Sequence, residues 1–206
     1  MTRTNVLMGL AIVVMAAQYG CGPKRPATTG FLSDYSRLGT VSDTMLQYVV
    51  PTNEFRTYRA FIIDPVDVHF HGRAKGTDAK SKEIAELKQY TYAAFHNALL
   101  DHYKVVRRPG PGVARIRIAL TDLEKSSPAL NAIPQTKLAG VGLGGAAMEG
   151  EVLDSVTGKQ LAAVVQVQKG KKLSLSGLSK FGDAKAVIDV WAKRLVEKLD
   201  EAHSPF

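Results

Sequence analysis

The sequence predicts an α+β domain of two layers, with a mainly antiparallel sheet of about four to five strands and two helices packed on one face. Three observations predict it. Ala114, Ile116, Ile118 and Leu120 alternate with Arg115, Arg117 and Thr121, the period-two pattern of a strand with one buried face. From Asp78 to His102, Ile84, Leu87, Thr91, Phe95, Ala98 and Leu99 recur at spacings of three and four, which gathers them into one stripe of a helix. Ile188, Trp191, Leu195 and Leu199 repeat that spacing near the carboxy end, with Asp183 placed to cap the helix. A half-apolar sheet and two single-striped helices each need a surface to bury against, and each supplies the other's.

The remaining elements follow in chain order. Gly22 to Thr29 holds Pro23, Lys24, Arg25 and Pro26 and reads as a tether. Phe31, Leu32, Tyr35 and Leu38 form a short helical face that docks on the domain. Met45 to Val50 is an apolar run stopped by Pro51. Tyr58 to Ile63 is rich in branched and aromatic residues and reads as a strand, which Pro65 interrupts at an edge or a bulge. Val66, Val68 and Phe70 then alternate with Asp67 and His69. Lys104 to Arg107 is a short strand ended by the turn Pro109-Gly110-Pro111-Gly112. Ser126 to Gly145 is a loop, and residues 146–168 form a hairpin turning at Thr157-Gly158.

The amino end reads as a targeting segment. Val6 to Ala17 is an unbroken stretch of apolar residues and Gly, spanning roughly 18 Å as a helix and so short of the roughly 30 Å hydrocarbon core of a bilayer. It reads as the core of a secretory signal, with Arg3 before it and Gln18-Tyr19-Gly20-Cys21 after it. The chain has a single cysteine, so it forms no internal disulfide, and a lone cysteine in an exported protein is explained by lipidation. Gly20-Cys21 resembles the lipobox of bacterial lipoproteins. That resemblance implies cleavage before Cys21, acyl chains such as palmitate on it, and sorting to the outer membrane, because Gly22 replaces the Asp that retains such proteins at the inner membrane. The expected organisation is therefore a signal over 1–20, a lipidated tether and docking segment over 21–57, and the domain over 58–203.

The full chain carries a formal charge of +8. Removing residues 1–20 takes away one basic residue, Arg3, and leaves 26 basic against 19 acidic residues, a charge of +7. A basic surface attracts anionic partners, and export removes nucleic acid from that set.

Several stretches resemble a family of bacterial lipoproteins, domain of unknown function 3313. They are Gly30-Phe31-Leu32-Ser33-Asp34-Tyr35, Ile63-Asp64-Pro65-Val66, Pro109-Gly110-Pro111-Gly112-Val113, Ala119-Leu120-Thr121-Asp122-Leu123, and Leu153-Asp154-Ser155 with Thr157-Gly158. Their shared order over most of residues 30–195 is the specific part. The resemblance implies location and fold, and it brings no chemistry.

The residues themselves offer few reactive groupings. Asp67, His69 and His71 share one face of an extended strand, as metal ligands can, but a site needs three or four ligands in defined geometry and spacing names no further one. Solvent-facing histidines at a strand end are the simpler reading. Gly140-Val141-Gly142-Leu143-Gly144-Gly145 precedes a strand, whereas a phosphate loop opens a helix, so it reads as a connection. Asp64 suits a turn, and Ser174 and Ser176 lack the context of a nucleophile. Arg115 and Arg117 face Glu149 and Glu151 across the sheet, which would neutralise them. Lys169, Lys171, Lys172, Arg107 and Arg108 are the candidate contacts to an anionic surface.

The expectation is a non-enzymatic binding or scaffolding module of the cell envelope, held at the periplasmic face of the outer membrane by a lipid on Cys21. The expected partners are the membrane and an envelope protein or peptidoglycan, with no cofactor, no metal, no nucleic acid and no known small-molecule ligand. The alternative is an envelope enzyme or metal-binding protein using Asp67, His69 and His71. A third reading is a carrier for a small apolar ligand held between sheet and helices.

Overall fold

The longest strand, β6 (Val113–Glu124), organises the sheet. A computed structural model describes residues 26–72, 74, 75, 79–133, 135, 144–170 and 179–204. Before β6 come β1 (Gly39–Ser42), β2 (Met45–Val49), α1 (Thr52–Phe55), β3 (Ala60–Ile63), β4 (Asp67–Val68), α2 (Ser81–Leu100) and β5 (Lys104–Val105). After it come α3 (Pro128–Asn131), β7 (Gly145–Asp154), β8 (Gln160–Lys169) and α4 (Gly182–His203). The strands lie in the order β1-β2-β8-β7-β6-β3-β5, and β4 also pairs with β6.

The fold is α+β, as the sequence predicts, but the sheet is larger and mixed. Among the described residues it has eight strands rather than four to five, and four helices rather than two. From β6 through β7, β8 and β2 to β1 successive strands pair antiparallel, whereas β3 and β4 lie parallel to β6, and β5 parallel to β3. The parallel part follows from connectivity: α2 lies between β3 and β5 and returns the chain in the same direction. β4 and β5 fall within the alternating run after Pro65 and the short strand at Lys104 to Arg107 that the sequence predicts, each reduced to two residues. β1 and β2 form a hairpin on β8, so the sheet begins at Gly39, upstream of the expected boundary at residue 58.

Pro65 makes the bulge that its position suggests. β3 pairs through Ile63 with Ile116 and β4 resumes with Asp67 opposite Ala119, so three residues of one strand stand against two of β6. The backbone N–H groups on either side remain satisfied, Asp64 donating to Ile116 O at 3.0 Å and His69 to Leu120 O at 2.9 Å.

Both faces of the sheet are covered. On one, Phe61, Ile116, Ile118, Leu120 and Leu161 pack against Leu87, Phe95 and Leu99 of α2 and Ile188, Trp191 and Leu199 of α4. On the other, Phe31 and Leu32 pack on Leu46, Ala119, Ala163 and Val165. The docking segment carries Phe31, Leu32, Tyr35 and Leu38 as expected, but in bends and a turn rather than a helix. Asp183 is likewise not the cap. Phe181 holds the N-cap position, and the fully buried Asp183 carboxylate in the first turn accepts from Ser126 Oγ and Gly144 N, each at 2.9 Å. A Cβ on Gly170 would fall 2.3 Å from Asp183 Cγ, so that close approach requires glycine.

Trp191 is 2% exposed. Trp191→Ala is expected to cost about 3–5 kcal/mol through lost transfer energy and a residual cavity. Denaturant unfolding checks it, and a loss well below that range would place the indole outside the core.

Tyr58 Oη donates to Asp154 Oδ2 at 2.9 Å, tying the start of β3 to the end of β7. Burial, then this hydrogen bond, push the Tyr58 hydroxyl from 10.0 up to about 12. A raised pKa in the folded state stabilises fully below the unfolded value and loses that contribution as pH rises through the folded one. The thermal midpoint should therefore fall between pH 10 and about 12, and Tyr58→Phe should fall less over the same window.

Candidate functional site

Two side chains on β7 are out of place by ordinary rules. Glu149 is 0% and Glu151 2% exposed, on the sheet face opposite the helices. A buried carboxylate without partners is costly, so each needs donors. The amino-terminal segment brings them. Thr29 N donates to Glu149 Oε1 at 2.6 Å, and Tyr35 Oη donates to Glu149 Oε2. Ser33 N and Ser33 Oγ donate to Glu151 Oε2 at 2.9 and 2.7 Å. Gln160 Nε2 donates to the same oxygen at 2.9 Å, and Arg117 Nη1 reaches Glu151 Oε1 at 2.5 Å.

The segment is shaped to deliver those donors. The Tyr35 hydroxyl accepts from Gly30 N at 2.9 Å and Leu32 N at 3.0 Å while donating to Glu149, closing a loop on itself. Burial and the Glu149 carboxylate hold its pKa above the ordinary tyrosine value. Gly30 has φ +87°, a left-handed conformation that favours glycine at the entry to this loop. The Phe31 ring meets His69 edge-on at 5.3 Å and sits under the Arg117 guanidinium at 4.7 Å. Arg37 closes the far end, donating to Tyr48 Oη at 2.7 Å. The result is a latch: residues 29–37 strap the amino end of the domain across the middle of the sheet.

The residues singled out from sequence are placed as follows. Arg117 pairs with Glu151 as anticipated, but Arg115 pairs with Asp64 at 2.5 Å, and Glu149 serves the latch. Lys169 is exposed at the end of β8, 3.8 Å from Glu124 Oε2. Arg107 and Arg108 are exposed beside the turn that precedes β6, at the opposite end of the sheet. The length of β6, roughly 35 Å, separates them from Lys169, so they form no single patch with it. Cys21, Lys171, Lys172, Ser174 and Ser176 lie outside the described residues, as do residues 140–143 of the glycine-rich stretch. Asp67 and His69 are exposed, and His71 Nε2 lies 3.9 Å from Asp122 Oδ2. Among the described residues no group of three or more His, Cys, Asp or Glu is placed to hold a metal ion. Sequence reasoning missed the latch anchors, although two carboxylates alternating inside an apolar strand were the available signal.

The other face carries an apolar groove of about 180 Å³ between α4 and strands β2, β7 and β8. Its walls include Met45, Val164, Trp191 and Leu195.

The chain matches the family described as "Protein of unknown function (DUF3313)" over residues 27–195. The chain belongs to DUF3313. The match opens at the latch and closes within α4, so the DUF3313 unit includes the strap as well as the sheet. Among curated proteins it is similar to "Uncharacterized lipoprotein YdcL" of Escherichia coli strain K12, with 26% identity over 210 residues covering 92% of this chain and 94% of that one. The same protein of strain O157:H7 matches equally. Among solved structures, a PelC dodecamer from Paraburkholderia phytofirmans aligns with TM-score 0.44 and 10% identity, covering 79% of this chain and 98% of that one. Protein XCC0632 from Xanthomonas campestris aligns at 0.39 and 9%, covering 68% and 83%.

Removing the Tyr35 hydroxyl tests how the DUF3313 latch is held. Tyr35→Phe should cost about 1–3 kcal/mol, because a buried carboxylate loses a donor. The Gly30 and Leu32 amides, which donate to that hydroxyl, should exchange hydrogen faster than the amides of β6 and β7. Unchanged exchange at those two amides would show that the hydroxyl does not close the loop.

Proposed function

We propose that this chain is an outer-membrane lipoprotein facing the periplasm, and that its domain is a non-enzymatic binding or scaffolding module of the cell envelope. The latch carries the reading. It fixes the amino end to the middle of the sheet through two buried carboxylates, an investment with no purpose for a loose leader but suited to a point of attachment. Five residue steps separate Cys21 from Pro26, the first described residue, at most about 18 Å of chain. A lipid on Cys21 would therefore hold the domain close to the membrane.

Two further observations support it. Similarity to an Escherichia coli lipoprotein extends over nearly the whole of both chains. Among the described residues no helix is long and apolar enough to cross a membrane, so the lipid would be the attachment. From Thr29 at Glu149 to Ser33 at Glu151 the segment runs away from the Gly145 end of β7. The anchored end thus approaches from the side of the sheet that carries Lys169, where an anionic headgroup layer would lie. Binding rather than catalysis is favoured because the buried carboxylates are fully engaged in holding the chain.

Mass spectrometry of the mature amino terminus, taken from sucrose-gradient membrane fractions, tests the proposal. The parent should begin at an acylated Cys21 and sediment with outer membrane, and Cys21→Ser should move the protein to the soluble periplasmic fraction. An unmodified Cys21 in the membrane-derived protein would overturn it.

A further inference from the structure

The groove beside α4 is an unusual feature for the inside of a two-layer fold. Protein interiors pack about as densely as organic crystals and leave few voids larger than a water molecule. Here about 180 Å³ remains open. An apolar cavity of about 150 Å³ stays dry and takes up a benzene. The floor is kept low by small residues, Gly150 on β7 and Ala162 on β8. Backbone geometry does not demand the glycine: a Cβ at Gly150 would meet Met148 Cε and Val164 Cγ1 at 3.5 Å, an ordinary contact. A glycine inside a strand weakens it and often marks a place where something approaches closely. The groove also runs outward along β2, where Val49 is 50% exposed. In its wall the Trp191 indole N–H is buried and finds no acceptor among the described residues.

The charge around this opening is one-sided. Arg194 and Lys198 stand one turn apart on α4 at the groove's edge, and both are exposed. Arg117 and Glu151 also border it, but their side chains are paired with each other at the latch on the opposite face. Lys198 has an exposed partner in Glu201 at 2.6 Å, a contact that competes weakly with a second anion. A narrow apolar trough with cations at its mouth is complementary to one alkyl chain ending in an anionic head.

We propose that the groove between α4 and strands β2, β7 and β8 is a binding site for a fatty acid, with the chain over Gly150 and Ala162 and the carboxylate at Arg194 and Lys198. The volume is little more than a benzene-sized cavity, so it takes roughly the last seven carbons of one chain, while the rest lies in the open trough along β2. The site lies on the opposite face from the latch and does not depend on the anchoring reading.

Trp191 is the only tryptophan and lies in the groove wall, so it reports on occupancy. The full chain carrying Cys21→Ser, which excludes any acyl group at that position, is titrated with dibrominated stearate in the absence of detergent. Bromine quenches indole emission on contact. Quenching should saturate near one ligand per chain and reverse with excess stearate. Gly150→Val fills the floor and should bind about tenfold more weakly. The double variant Arg194→Gln with Lys198→Gln should bind stearate at least about threefold more weakly while binding brominated stearyl alcohol as the parent does. Absence of saturable quenching would overturn the proposal. So would unchanged stearate affinity in the charge variant, which alters only exposed side chains and keeps the test decisive if Gly150→Val fails to fold. A dimer that forms without ligand and abolishes quenching would assign the face to a second copy instead.

Discussion

Glu149 and Glu151 on the second face of β7 impose the strongest constraint in this molecule, because the strap that buries both carboxylates must also bring them donors. Thr29 and Tyr35 donate to Glu149 and Ser33 to Glu151 from more than a hundred residues earlier in sequence, and Arg117 and Gln160 complete Glu151 from within the sheet. The same contacts lay Phe31 and Leu32 over Ala119, Ala163 and Val165. Burial of the glutamates and coverage of the second face are thus one event. Without the strap the sheet would expose apolar residues on one side, and Glu149 would lose both of its donors while Glu151 kept Arg117 and Gln160. With it, β7 is buried along nearly its whole length, a pattern usual for a strand with a layer on each face.

This coupling explains which parts of the fold were legible in the sequence. α2, β6 and α4 declare themselves because each has one apolar side that packs against the others, and periodicity reports that directly. The hairpin of β7 and β8 is also visible, through Thr157-Gly158 and the run after it. Less visible is anything whose reason lies across the sheet. Ser33 and Tyr35 look like ordinary polar residues beside a proline-rich leader, and their purpose exists only where Glu149 and Glu151 stand. The same holds for Asp183. It reads as a helix cap by position, yet its carboxylate is engaged by Ser126 and Gly144, at the two ends of the connection from β6 to β7. Short strands such as β5 take their pairing from α2 and not from their own residues.

Of the candidate site, the individual residues were visible but their grouping was not. Arg115 and Arg117 could be set against Glu149 and Glu151 only as a group, and the register between β6 and β7 is what assigns Arg117 to Glu151 and leaves Arg115 to Asp64. Arg107 and Lys169 share a charge but stand at opposite ends of β6, a separation that composition cannot report. The groove beside α4 is a property of what is missing, side-chain volume at Gly150 and Ala162, and no motif marks it. Family membership agrees with the structural picture in its extent: the matched region starts just before the strap, which places that strap inside the DUF3313 unit.

The two margins of the sheet are unequal to the task of pairing with anything else. On one side β1 is four residues long, exposed throughout and broken in register between Thr40 and Ser42. On the other, β5 is two residues long. Unpaired edges invite strand-to-strand association between molecules, and short, polar or irregular ones discourage it. Copies crowded together on a surface meet at far higher local concentration than in free solution. A sheet with blunted margins can be displayed there densely without its molecules zipping into aggregates.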